Sequence, residues 1–118
     1  MNEKLQQIQK ENIVVFIYYI LLAIYLYANT VEVNYIKYQQ ESDKEKYRTL
    51  LYIVFGISFI ITLYYTIESI NDLQTFESIE IQKLKELSTL ANILILIATA
   101  IYLYIIYKDQ DINLEVSP

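Results

Sequence analysis

The sequence predicts an all-α fold, an integral membrane bundle of three antiparallel helices. Three long uncharged runs carry this prediction: residues 12–31, 49–67 and 87–107, with lengths of 20, 19 and 21 residues. All of the 9 basic and 14 acidic side chains lie outside these runs. A helix of about 20 residues is roughly 30 Å long, which matches the hydrocarbon core of a bilayer. A soluble bundle would need polar helices around all three runs, and the chain has no residues left to build them.

The first helix is expected at about residues 4–38, around a membrane span at 12–31. Leu5 and Ile8 are three residues apart in the polar N-terminal stretch, which favours a helical lead-in to the run. No Gly or Pro interrupts the sequence between the run and Tyr38, so the helix is expected to continue beyond the membrane face. A cleaved signal peptide is the competing interpretation, but bulky residues precede Ala28 at the only candidate cleavage site. We therefore expect a retained anchor.

The second helix is expected at about residues 43–70, with its span at 49–67. Ser42 and Glu45 have the spacing of a capping box, with Ser42 as N-cap and Glu45 at the third helical position. Such a box predicts that the helix starts about two turns before its apolar run.

The third helix is expected at about residues 79–107, with its span at 87–107. Ser78 or Thr75 is the candidate N-cap. Residues 108–118 are acidic and lack helical periodicity, which predicts a flexible tail. By length, the 118 residues form a single membrane domain.

Small and polar residues within the second and third runs predict where the helices pack. Ser58, Thr62 and Thr66 follow one another at i, i+4 spacing and so share a helix face. Small hydroxyl side chains let membrane helices approach closely and bond across to a neighbour, or bond back to their own backbone. A polar pathway for a solute is the alternative. The complete set of predicted helix-packing residues is Ser58, Thr62, Thr66, Ala91, Asn92, Ala98 and Thr99.

Two acidic residues, Glu32 and Glu68, directly follow the first and the second apolar run. A carboxylate inside a membrane is a functional hypothesis by default, as in proton-coupled transport. Both residues, however, fall where a helix emerges from its run, so we expect solvated charges at the interface. The 13 tyrosines favour an interfacial belt, because the Tyr ring is apolar and its hydroxyl seeks water.

Composition argues against most catalytic chemistry. The chain has no Cys, no His and a single Gly, which removes thiol nucleophiles, the commonest general base and Gly-rich phosphate loops. We therefore expect no enzymatic activity, no catalytic residues, no cofactor and no metal site. The net charge of −5 provides no basic surface for nucleic acid. The abundance of Ile, Asn, Lys and Tyr is typical of bacterial genomes of low GC content, which indicates a bacterial plasma membrane.

These observations predict a small non-enzymatic membrane protein that acts through helix–helix interaction, as a regulatory, immunity or accessory subunit. Its expected partners are the lipid bilayer and either itself or another membrane protein. The alternative is a pore-forming or transport protein, either holin-like or an oligomer with a Ser/Thr-lined path. Counting Lys and Arg gives five on the side of the first connection and four on the other, which favours a cytoplasmic C terminus.

Overall fold

The computed structural model describes residues 2–109, which form three α-helices. They are α1 (Asn2–Tyr38), α2 (Glu41–Asp72) and α3 (Ile79–Lys108). Each helix is long and apolar enough to cross a membrane. The predicted all-α class, with three helices of spanning length, is therefore confirmed.

The helix ends differ slightly from those expected from sequence. Helices α1 and α2 each begin two residues earlier, and α2 ends two residues later. Helix α3 includes Lys108, which the sequence placed in a flexible tail. The part of that predicted tail from Gln110 to Pro118 lies outside the described residues.

The second helix lies in the middle of the bundle. It packs against both α1 and α3, whereas within residues 2–109 no Cα atom of α1 comes within 8 Å of one in α3. The Cα atoms extend over 59 × 26 × 16 Å. Helices α1 and α3 thus flank α2 without contacting each other through the backbone.

The core lies toward the end of the bundle at which α1 leads into α2. Tyr47 and Val54 of α2 are its largest fully buried side chains, and Ala28 of α1 is completely buried. Phe55 and Tyr102 join α2 to α3, with ring centroids 5.4 Å apart. Because Ala28 is small, the backbones of α1 and α2 can approach each other closely at this point.

A tight turn of two residues joins α1 to α2, and it overturns the predicted capping box. Gln39 adopts a left-handed conformation (φ 56°), and its N–H donates to the carbonyl of Tyr35 at 2.7 Å. The N-cap of α2 is Gln40, without a side-chain cap, so Ser42 already lies inside the helix. The prediction of Ser42 as N-cap is wrong. The left-handed Gln39 ends α1 abruptly, and α2 therefore begins before Ser42.

Six residues, 73–78, join α2 to α3, and the first turn of α3 has the cap that α2 lacks. Ser78 is the N-cap, and its Oγ accepts a hydrogen bond from the N–H of Ile81 at 3.2 Å. Of the two candidate caps, Ser78 is therefore confirmed. An N-cap of this kind satisfies one of the N–H groups that a helix leaves without a partner at its start.

Two long side chains of α3 hold this connection in place. Gln82 Nε2 donates to the carbonyl of Leu73 at 3.1 Å. Lys85 Nζ donates to the carbonyl of Thr75 at 2.8 Å and also lies 3.8 Å from a carboxylate oxygen of Asp72. The end of α2 is thereby fixed against the beginning of α3.

Candidate functional site

A groove runs along α2 because α1 and α3 do not meet. Its apolar section is a cavity of 580 Å³ bounded by all three helices. Leu22 of α1, Ser58 and Thr62 of α2, and Ala98 and Thr99 of α3 are among the residues that line it. Cavities of this size, mostly apolar with a few polar groups, are typical of binding sites between the helices of bundles.

The polar section of the groove is a second cavity of 600 Å³, near the start of α1, the end of α2 and the start of α3. Gln7 and Glu11 of α1, Glu68 of α2, and Ser88 and Asn92 of α3 are among its lining residues. Carboxylates, amides and hydroxyls replace the Leu, Ile and Phe side chains of the apolar section.

Successive turns of α2 and α3 line first one section and then the other, whereas in α1 almost two turns separate Glu11 in the polar section from Tyr18 in the apolar section. In α2 the lining begins at Val54 and reaches Asp72 in steps of one to four residues, interrupted by no full turn. From Val54 to Asp72 the helix advances by 18 residues, which at 1.5 Å per residue correspond to roughly 27 Å. The groove is therefore nearly as long as a bilayer's hydrocarbon core is thick, about 30 Å.

The threonine hydroxyls of the groove region bond back to their own helices. Thr62 Oγ1 donates to the carbonyl of Ser58, and Thr66 Oγ1 donates to that of Thr62, each at 2.8 Å. Thr99 Oγ1 donates to the carbonyl of Ile95 at 2.9 Å. Each hydroxyl proton is thus satisfied within its own helix, which is the behaviour of Thr in packed helices and needs no partner.

One hydrogen bond between side chains joins α3 to α2 beside the polar section. Asn92 Nδ2 donates to Ser69 Oγ at 2.8 Å. Sequence reasoning identified Asn92 but missed Ser69, which lies just after the end of the apolar run. The spacing could have identified Ser69 as a packing residue. It follows Thr62 by seven residues and Thr66 by three, and so continues the same helix face.

The seven predicted packing residues are distributed over three environments. Thr66 is buried in α2 without lining either cavity, and Ala91 is exposed on α3, outside the groove lining. The other five line the groove, four of them in its apolar section and Asn92 in its polar section: Ser58, Thr62, Ala98, Thr99 and Asn92.

The two acidic residues that follow the first and second apolar runs are not both solvated. Glu32 is only 8% exposed, so the expectation of a solvated charge is wrong for this residue. The cause is the continuation of α1 beyond its apolar run, since Glu32 shares a helix face with the buried residues Leu21 and Ala28. Glu68 is half-buried and lines the polar section of the groove.

Cationic residues of α2 contact its neighbours at the opposite end of the bundle. Arg48 Nη2 donates to the carbonyls of Ile106 and Tyr107, at 3.0 and 3.4 Å, in the last turn of α3. A cation at this place also complements the negative end of the helix dipole. Lys46 Nζ lies 4.9 Å from the ring centroid of Tyr27, and interaction with the Tyr27 side chain raises the pKa of Lys46.

Comparisons with known proteins add no family to this geometry. No family model, curated protein or solved structure matches the chain. Within residues 2–109, no three acidic side chains come together in a way that would hold a metal ion. The groove, with its apolar and polar sections, is therefore the candidate functional site.

Proposed function

We propose that this chain is an integral protein of a bacterial plasma membrane whose three helices cross the bilayer in alternating directions. It acts without catalysis, through helix–helix interaction, as a regulatory, immunity or accessory subunit. The apolar spans anchor the chain in lipid, and the groove between α1 and α3 receives a helix of another membrane polypeptide.

The contacts between helices support the alternating directions. Arg48, near the start of α2, bonds to the carbonyl of Ile106 near the end of α3. Asn92, in the first half of α3, bonds to Ser69 near the end of α2. Lys46 at the start of α2 reaches Tyr27 in the second half of α1. Each pair brings an early part of one helix beside a late part of its neighbour.

The groove is the observation that carries the proposed interaction. It is roughly as long as a membrane span, and small residues such as Ser58 and Ala98 line its apolar section. In a bilayer, helices associate through close packing at small residues, because lipid removes the hydrophobic drive that acts in water. A third neighbouring helix would complete the surroundings of α2, which within residues 2–109 has only α1 and α3 beside it.

The same geometry favours packing over the rival pore or transport function. The Thr62 and Thr99 hydroxyl protons are already donated to carbonyls of their own helices. Most of the surface of the apolar section comes from carbon atoms, which offer little to a hydrated ion. A pore would predict loss of membrane potential on expression, reduced by Thr62→Leu; we expect expression to leave the potential unchanged.

Photo-crosslinking in native membranes tests the proposal. Leu22 lines the groove, whereas Ile20 of the same helix does not, and their side chains are similarly exposed, at 50% and 47%. A photoreactive residue at position 22 is expected to form an adduct with a second polypeptide, and the same residue at position 20 is expected to form far less. If both positions form adducts with lipid alone and none with a polypeptide, helix docking in the groove is contradicted.

A further inference from the structure

We propose that the groove selects a transmembrane helix that carries Lys or Arg at the end lying beside Glu11 and Glu68. This inference rests on the proposed function, because it names the partner chemistry of the same groove. The observation behind it is an unbalanced charge, confined to one end of an otherwise apolar and span-length groove.

The charge of the polar section is negative. Its lining contains three carboxylates, those of Glu11, Glu68 and Asp72, and no Lys or Arg. Asp72 has a cation nearby, since Lys85 Nζ lies 3.8 Å from its carboxylate and 3.5 Å from that of Glu77. Within residues 2–109, neither Glu11 nor Glu68 forms an ion pair. Two carboxylates at this end of the groove are therefore uncompensated.

The positions of these two residues match the depth at which a partner's cation would lie. Glu11 directly precedes the first uncharged run, and Glu68 directly follows the second. With the helices in alternating directions, both carboxylates lie at the same membrane face. Lys and Arg side chains near the ends of membrane helices extend toward that face while their stems stay in the apolar layer. A basic residue at the end of a docked helix thus meets both carboxylates.

The length and the lining of the groove favour a helix over a small amphiphile. A small cationic amphiphile would neutralise the carboxylates of the polar section, but it would leave much of the roughly 27 Å groove filled by lipid. An anionic phospholipid would bring its phosphate toward the carboxylates of Glu11 and Glu68, and like charges repel. Small side chains at Ser58 and Ala98 permit the close backbone approach that helix packing uses.

The test measures binding of synthetic helices to the full chain in phosphatidylcholine vesicles. The probe is a spanning Leu/Ala peptide with one Lys at its end, and the matched peptide has Gln in its place. Because the chain contains no Cys, Phe76→Cys places one fluorophore near the polar section for energy transfer. We expect the Lys peptide to bind more tightly by about fivefold for each facing carboxylate, and less so at high salt.

Matched variants locate the source of that preference. Glu11→Gln with Glu68→Gln is expected to abolish the preference for Lys. The control, Glu3→Gln with Glu80→Gln, removes two acids from the same end of the bundle that do not line either cavity, and is expected to preserve it. Circular dichroism of each variant verifies that the helices are intact.

The outcomes separate the two proposals. Equal binding of the Lys and Gln peptides would overturn the charge selection and leave helix docking standing. Equal loss of the preference in both double variants would also overturn it, since the effect would then be general rather than local to the groove. Binding of dodecylamine without binding of either peptide would replace the helix with a small amphiphile. Absence of both peptide binding and position-22 crosslinks would remove the proposed function itself.

Discussion

The hydrogen bond between Asn92 and Ser69 gives the most direct energetic test of how α3 is held against α2. At 2.8 Å it has good length, and it joins two side chains on different helices. Asn92→Ala removes the donor and Ser69→Ala removes the acceptor. If the bond forms, the double variant loses less stability than the sum of the two single variants.

The expected coupling is small because both residues lie beside the polar section of the groove, where water can replace a lost partner. Hydrogen bonds between membrane helices average about 0.6 kcal/mol in double-mutant cycles, with a maximum of about 1.7 kcal/mol. A part-buried bond open to the groove belongs near the average, so we expect a coupling free energy of about 0.6 kcal/mol.

The assay is reversible unfolding in mixed micelles by increasing sodium dodecyl sulfate, followed by circular dichroism. All four proteins of the cycle are compared: the parent chain, both single variants and the double variant. Thr30→Ala is the matched control, because within residues 2–109 its exposed hydroxyl bonds only to the carbonyl of Leu26 in its own helix. Strictly additive single losses would refute the bond, and with it the pairing of these two helix faces.

Three further predictions concern the ends of the bundle. Tyr47→Ala should destabilise the chain by about 3–5 kcal/mol, because Tyr47 is 1% exposed, whereas Tyr38→Ala at a 68% exposed position should change the unfolding free energy little. Ser78→Ala should cost about 1 kcal/mol in the same assay through loss of the N-cap bond, and Ser42→Ala should cost much less; equal losses would restore the capping box. Arg48→Lys should speed amide hydrogen exchange in the last turn of α3, and unchanged exchange would contradict its role there.

The existence of the helices could be predicted from the three uncharged runs of spanning length. A chain this short has no residues left to cover such runs in a soluble bundle. Their connections were harder to predict. Ser42 has the residue type and spacing of a cap, but the left-handed Gln39 allows a two-residue turn, which starts α2 before Ser42. Ser78 has five connecting residues before it, so its cap forms as the local sequence indicates.

The arrangement of the helices could be predicted only in part. Three runs of similar length and composition do not reveal which helix lies in the middle, although the face of Ser58 and Thr62 pointed to α2 as a packing surface. The gap between α1 and α3 is a property of all three helices together, so no single motif encodes it. Glu32 escaped prediction because the apolar run ends before it, while the buried face of α1 continues.

Labelling of single cysteines tests the central claim, that three helices cross the membrane in alternating directions. The natural absence of Cys gives no background, and Gln6, Ser42 and Phe76 are exposed, one at the start of α1 and the others in or near the two connections. With a membrane-impermeant maleimide on intact cells, Gln6→Cys and Phe76→Cys should react, and Ser42→Cys should react only after the cells are opened. The reverse pattern would invert the orientation and preserve the spans. Labelling of all three positions from one side would contradict the membrane-spanning bundle.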